Sequence, residues 1–340
     1  MPLKPVTIKE IAKILQVSTS TVSRALSDHY SIGELTKNKV RQLARQLNYE
    51  PNQKAVQLFR GKSYTIGVIV PDLSESFFSA AIDEIEIIAD KNGYTVILAQ
   101  SHDDVDTEAK LIERMKMQRV DGIIMSIAKT TDKYGHLISL NNLYIPIIFF
   151  DRIPPIDNIN FVAANIEKGA FELTNYLIEK GHQNVAMING PASLETSMER
   201  TRGYIHALAS SEIAPNSSYM VNTDLTEDST KLTLDKFMNM ASTPTAIITF
   251  NDYIALYALR HIRLSRININ NDVVIGSFAN LSIMNYLENG PLASIEQFPD
   301  KQGKKAVEIL FDLISQKNSN TNFSRIIINP EIRVTERLES

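Results

Sequence analysis

The sequence predicts an all-α helix-turn-helix headpiece followed by an α/β body of two doubly wound parallel-sheet lobes. Three observations predict it. Residues 1–60 hold ten Lys/Arg against four Asp/Glu, while the remaining residues hold 25 against 35, so a basic end sits on an acidic body. Three short helical patterns fill roughly the first fifty residues, with about two residues between the first two patterns. From Tyr64 onward, short apolar runs alternate with helical patterns, as in parallel sheets covered on both faces. The body has about 270 residues, too many for one small sheet.

Composition narrows the class. The chain has 340 residues, enough for about two domains, with 44% apolar and 22% charged residues, which excludes a disordered or fibrous chain. No apolar run reaches about 18 residues, so no membrane span is expected. Met1-Pro2-Leu3-Lys4-Pro5 lacks the apolar core of an export signal and leads into Lys9 and Glu10. There is no cysteine, which removes disulfides, thiolate metal sites and cysteine nucleophiles and fits a reducing cytoplasm. No metal and no cofactor is expected.

Thr7-Ile8-Lys9-Glu10 has the form of a capping box, and Ile8, Ile11, Ala12 and Leu15 follow as one helical stripe. Ser18 can cap a second helix running to about Leu26, with Val22, Ala25 and Leu26 inward. Its other face pairs Thr19 with Ser23 and Ser20 with Arg24 at helical spacing. A polar loop, Ser27 to Gly33, precedes a third stripe of Val40, Leu43, Ala44 and Leu47. Hydroxyls can meet base edges or phosphates, and an arginine can pair bidentately with guanine, so the second helix suits a DNA major groove about 12 Å wide. Spacing alone fits a three-helix cap on a larger fold as well, and the basic balance fits a solvated face.

Val17-Ser18-Thr19-Ser20-Thr21-Val22-Ser23-Arg24-Ala25-Leu26 resembles the headpiece of the lactose/galactose-repressor (LacI/GalR) family. Val6-Thr7-Ile8-Lys9-Glu10-Ile11-Ala12 fits that family's opening, and Leu47-Asn48-Tyr49-Glu50-Pro51-Asn52 fits its exit into a hinge. The resemblance implies that Thr19, Ser20 and Arg24 read bases and that Thr7, Ser18, Ser23, Ser27 and Thr36 lie at or near phosphate contacts. It divides the chain into a headpiece (residues 1–50), a hinge (51–62) and an effector-binding and dimerisation body (63–340).

In the hinge, Asn52 can cap a short helix containing Ala55, Val56, Leu58 and Phe59, too short to stand alone in water. The resemblance makes Leu58 the wedge that enters a central minor-groove base step, with Ala55 beside it. Gly61-Lys62-Ser63 lacks the upstream glycine of a phosphate-binding loop, since position 56 is Val56, and it precedes a strand instead of following one.

In the body, the runs Thr65–Val70, Thr95–Ala99, Gly122–Ser126, Pro146–Phe150, Val185–Ile188, Ala246–Phe250 and Val273–Ile275 read as buried strands. Helical patterns cover Phe78–Asn92, Glu108–Gln118, Ile166–Glu179, Arg202–Ser210, Tyr253–Arg263 and Lys301–Ser315. Ligands of such sheets bind beyond the carboxyl ends of the strands. Those ends carry Asp72 with Ser76, the run Gln100 to Asp103, Ser126, Asp151-Arg152, Asn189, Asn251-Asp252 and Ser277 to Asn280, with Phe77 and Phe78 alongside. Carboxylates, amides and a guanidinium beside aromatic faces suit a polyhydroxylated small molecule. Singly each has a plainer role: Asp252 can cap the following helix, and Arg152 can pair with a neighbouring acid.

The resemblance extends to about residue 337 through Gly181-His182-Gln183-Asn184-Val185-Ala186, Arg200-Thr201-Arg202-Gly203-Tyr204 and Phe250-Asn251-Asp252. It implies a body like a periplasmic sugar-binding protein, with Asp151, Arg200, Asn251 and Gln297 at effector contacts and Phe77 on the first-lobe loop. Where the family has Gly-aromatic-Asp after a late strand, this chain has Gly276-Ser277-Phe278-Ala279-Asn280, so the aspartate is missing and Asn280 is the expected substitute. Three crossings between lobes are expected near Ala164, Ala293 and Ile326. They give a first lobe of about 63–164 and 294–325 and a second of about 165–293 and 326–340. The end, Arg337-Leu338-Glu339-Ser340, carries no heptads, which favours a homodimer over a coiled-coil tetramer.

The expected function is a sequence-specific DNA-binding transcription regulator, a repressor, acting on a near-palindromic operator. A small-molecule effector, a sugar or sugar derivative in the interlobe cleft, would control it. The alternatives are a sugar-binding protein without DNA function and a regulator gated by a protein partner. An enzyme is not expected: the six histidines show no H-E-x-x-H spacing, and no G-x-S-x-G or strand-borne G-x-G-x-x-G occurs.

Overall fold

The computed structural model describes residues 6–50, 62–141, 145–265, 272–315 and 323–335. The chain forms two compact units, Met1–Ser63 and Tyr64–Ser340.

The first unit contains α1 (Ile8–Leu15), α2 (Thr19–Leu26) and α3 (Glu34–Gln46). The Glu10 carboxylate reaches back to the Thr7 N–H at 2.7 Å, tying down the first turn of α1. Gln16 takes a left-handed conformation at φ 54°, and the Val17 N–H returns to the Ala12 carbonyl at 3.0 Å, which ends the helix. Ser18 then caps α2 by accepting from the Thr21 N–H at 3.0 Å. Ile11, Val22, Ala25 and Val40 are fully buried where the three helices meet. Asp28 fastens the loop before α3 to that helix, 2.8 Å from the buried Lys37 and 2.8 Å from Arg41. These cations hold its carboxyl below the usual range, the Lys37 hydrogen bond most strongly.

The second unit holds two sheets. The first lobe begins with β1 (Thr65–Val70), α4 (Ser76–Lys91), β2 (Thr95–Gln100), α5 (Val105–Met117) and β3 (Gly122–Met125). It continues with α6 (Gly135–Asn141), β4 (Ile147–Phe150) and β5 (Asn160–Ala164). The second lobe holds α7 (Ile166–Glu179), β6 (Val185–Asn189), α8 (Glu195–Ser210), β7 (Met220–Asn222) and α9 (Glu227–Met238). It goes on through β8 (Ala246–Thr249), α10 (Asp252–Leu264), β9 (Val274–Phe278) and β10 (Ala293–Glu296). Then α11 (Pro299–Ser315) and β11 (Arg325–Ile328) return to the first lobe, and β12 (Glu331–Val334) closes the second. The strand orders are β11-β5-β4-β3-β1-β2 and β12-β10-β9-β8-β6-β7. Every pairing is parallel except β10 with β12. Central strands such as β3, β4 and β8 are buried throughout, as expected of strands covered on both faces.

The structure moves two of the expected crossings. Ala293, Ser294 and Ile295 pair with β9 in the second sheet, so the chain leaves that lobe at the end of this strand, after Glu296, and not at Ala293 itself. Arg325–Ile328 pairs with β5 in the first sheet, so the last crossing follows Ile328 and not Ile326. Both strands are short, and the alternation of β11 between half-buried and exposed residues gives little hydrophobic signal. The crossing near Ala164 falls between β5 and α7. No helix among the described residues is long and apolar enough to cross a membrane.

Candidate functional site

On the headpiece, Thr19, Ser20, Ser23 and Arg24 are exposed along α2, opposite the buried Val22 and Ala25. No acid pairs with Arg24 among the described residues, so its guanidinium is presented to solvent. The Ser18 hydroxyl lies 2.7 Å from that of Ser20 and 2.8 Å from that of Thr21, a hydroxyl cluster at the N-terminus of α2. Thr7 and Ser27 are exposed, and Thr36 is half-buried in the first turn of α3. Asn52, Ala55 and Leu58 lie outside the described residues.

In the body, a cleft runs between the two lobes. Its walls include Glu75, Phe77, Phe78, Asp151 and Arg152 from the first lobe, and Thr196, Arg200, Phe250, Asn251, Tyr253 and Leu281 from the second, with Gln297 at a crossing.

Asp151 follows β4 in a left-handed conformation at φ 60°. Burial raises its carboxyl to about 6, against the opposing pull of Arg152, Arg200 and the Ser126 hydroxyl. Arg152 is buried, ion-paired to Asp103, and 5.9 Å from the Phe78 ring centre. Glu75, just before α4, is raised to about 7, again mainly by burial.

Arg200 rises from α8, which packs tightly on α7: a side chain on Gly203 would meet the Glu167 carbonyl at 2.1 Å. Arg200 is only 3% exposed. Its guanidinium carbon sits 4.0 Å from the Phe250 ring centre and 4.4 Å from that of Phe278. Burial lowers its pKa to about 10, so it stays charged at neutral pH.

Not every expected contact residue faces this cavity. The Asn280 amide donates to Glu296 at 2.9 Å, and Asn280 lines an adjoining recess with Ser76, so it does not replace the missing aspartate. Phe278 fills the space beside Arg200 instead. Asp72 accepts from the Ser74 N–H at 2.8 Å and from Gln100 at 3.2 Å, organising its own turn. Ser126 is buried behind Asp151, within reach of the Arg152 N–H at 3.3 Å. Asn251 lines the cleft but also caps α10, accepting from the Ile254 N–H at 3.1 Å. Asp252 is therefore not that cap: it is buried and accepts from the Leu281 N–H at 2.6 Å and Ser294 at 3.1 Å, pinning the loop after β9.

Sequence reasoning missed Glu75, Thr196 and Tyr253. Thr196 was within reach, since it precedes Arg200 by one helical turn, but that helix was expected to begin only at Arg202.

Comparisons with known proteins match both units of the chain. The profile described as "Bacterial regulatory proteins, lacI family" matches residues 7–52. The profile described as "Periplasmic binding proteins and sugar binding domain of LacI family" matches residues 63–335. The HTH-type transcriptional repressor PurR of Vibrio atlanticus is 30% identical over 312 residues, covering 92% of this chain and 93% of the relative. The PurR repressor of Vibrio parahaemolyticus is 30% identical over 311 residues, covering 92% of each. Among solved structures, a lac repressor dimer bound to operator and the anti-inducer ONPF aligns with a TM-score of 0.81 at 25% identity, covering 97% of this chain and 98% of that one. The regulator CelR in complex with cellobiose aligns with a TM-score of 0.72 at 21% identity, covering 97% and 98%, a likeness of fold.

Proposed function

The chain belongs to the LacI family of bacterial regulators, DNA-binding transcriptional repressors that bind operator DNA and small-molecule effectors as dimers, and from that premise we propose how its own residues divide the work. Thr19, Ser20 and Arg24 read base edges in the major groove of each half of a near-palindromic operator. Thr7, Ser18, Ser23, Ser27 and Thr36 contact phosphates and set the register. Residues 51–62 join the headpiece to the body, with Leu58, beside Asn52 and Ala55, as the minor-groove wedge.

The effector is a hydroxylated small molecule in the interlobe cleft. The observation that carries this reading is the pair Asp151 and Arg200, a half-buried acceptor and a buried donor supplied by different lobes around a cavity faced by Phe77 and Phe250. Asn251 and Gln297 offer further polar groups, and the aromatic faces suit the apolar side of a sugar ring or a base.

The test is a thermal-shift screen of sugars, sugar acids, sugar phosphates and nucleosides on the full chain. A ligand present at 100 times its dissociation constant stabilises by ~2.7 kcal/mol. A stabilising compound that loses its effect in Asp151→Asn supports the cleft. A compound that stabilises Asp151→Asn as well as the parent protein places its site elsewhere.

A further inference from the structure

Arg200 carries a positive charge that the described residues leave unbalanced at close range. Its Nη1 donates to the Thr196 carbonyl at 3.0 Å, a bond within its own helix. Its Nε is buried without any hydrogen-bond partner, and the phenyl rings of Phe250 and Phe278 pack against the guanidinium. Asp151 and Glu199 act on it only through longer-range Coulomb attraction, and no carboxylate forms an ion pair with it. A guanidinium taken out of water without a hydrogen-bonded counter-charge is costly, and such groups are found paired.

The same wall holds a second set of idle donors. The Thr196 hydroxyl is buried, lines the cleft and has no partner. Thr196 lies in the first turn of α8, where helix N–H groups have no acceptor within the helix. The residue before that turn is Leu194, whose side chain accepts nothing. Glu195, the acid that would complement this end of the helix, turns away to Arg202 at 3.0 Å. A guanidinium, a hydroxyl and the positive end of a sixteen-residue helix therefore share a wall on which no carboxylate among the described residues hydrogen-bonds to Arg200 or Thr196.

We propose that this wall is an oxyanion subsite, so that the effector is a hydroxylated molecule bearing a carboxylate or phosphate, held by Arg200, the Thr196 hydroxyl and the first turn of α8. This rests on the cleft being the effector site. The anion lies against the second lobe, and the hydroxyls face Asp151 on the first. The raised pKa values of Asp151 and Glu75 fit this assignment, because both carboxyls take up protons readily when a further negative charge enters the cavity.

The test uses calorimetry and thermal shift on the full chain with two kinds of probe. Inorganic phosphate and sulfate, at fixed ionic strength against chloride, are expected to stabilise the body saturably. Thr196→Val, which keeps volume and removes the hydroxyl, should weaken that binding about tenfold, and Arg200→Gln should abolish it. Sugar acids and sugar phosphates are then compared with their neutral parents. The acid should bind at least about tenfold tighter than its parent, and Thr196→Val should shrink that ratio. A neutral parent that binds as tightly as its acid, with Asp151 still required, overturns the oxyanion subsite and leaves the effector cleft standing. Oxyanion binding that survives both cleft substitutions overturns the subsite too. If no member of either set binds, the oxyanion subsite falls, and the cleft reading is decided separately by the nucleosides and other neutral compounds of the wider screen.

Discussion

The phenol of Tyr253, on the second lobe, lies 3.2 Å from the carbonyl of Ser74 on the first lobe and donates to it. The same oxygen accepts from the Ser76 N–H at 3.3 Å. A second tie spans the lobes where the Lys129 ammonium donates to the Asp224 carbonyl at 2.9 Å and the Ser193 hydroxyl donates to the Lys129 carbonyl at 3.2 Å. These bonds tie the two lobes together beside the cleft. Tyr253→Phe keeps the ring and removes the bonds, worth about 1 kcal/mol. Ligand binding then has to supply the closure itself, so cleft affinity should fall about fivefold while affinity for DNA measured without ligand changes little. Calorimetry on the two proteins checks this, and equal affinities would mean that the bonds do not govern closure.

The headpiece reading makes Arg24 a base-reading residue. Arg24→Ala should cost ~1–3 kcal/mol on the preferred operator and relax preference at one base pair per half-site. Competition binding against a set of single-base operator variants measures it. Uniform weakening on every sequence would make Arg24 a phosphate contact.

Ser18 does separate work, because its hydroxyl closes the N-terminus of α2. Ser18→Ala should lower the stability of the headpiece transition by ~1 kcal/mol. Denaturant unfolding followed by circular dichroism reads this directly, and an unchanged midpoint would show that the cap contributes nothing there.

The cleft carboxyls give the body a pH signature. Glu75 is raised to about 7 and Asp151 to about 6, both chiefly by burial, whereas the unfolded chain restores ordinary carboxylate values. The native state therefore binds more protons than the unfolded state across this window. The stability tied to these protonated groups is fully present near pH 4 and is lost as pH rises through 6 and 7. Replacing both groups, as Glu75→Gln with Asp151→Asn, should flatten the fall between about pH 4 and 7 relative to the parent protein. Parallel pH profiles for the two proteins would contradict the assignment.

Much of this architecture is legible in the residues because it rests on local signals. The Thr7–Glu10 box, the Ser18 cap and the stripe Ile11, Val22, Val40 specify the headpiece without reference to anything distant. The central strands are apolar throughout, and α7 spans the predicted Ile166–Glu179 because its buried stripe is regular. The last two lobe crossings fall slightly beyond their expected places because β10 and β11 are four-residue strands whose membership is fixed by their sheet partners, not by their own composition. The site was only partly legible for a related reason. Asp151 and Arg200 stand out by type and motif, but the lobes supply them separately. That Phe278 and not Asn280 would flank Arg200 depends on how Asp252 anchors the following loop. No spacing rule reports that.

The central claim is that occupancy of the cleft and occupancy of the operator are one coupled equilibrium. The direct measurement is a calorimetric titration of the full chain with a cleft ligand, with and without saturating operator, alongside operator titrations with and without saturating ligand. Linkage requires operator to change ligand affinity by the same factor as ligand changes operator affinity, a factor of about 5–150 for typical coupling. Equal and reciprocal shifts of that size are expected, lost in Arg200→Gln. Ligand affinity unchanged by operator, for a ligand whose binding requires Asp151, would contradict it.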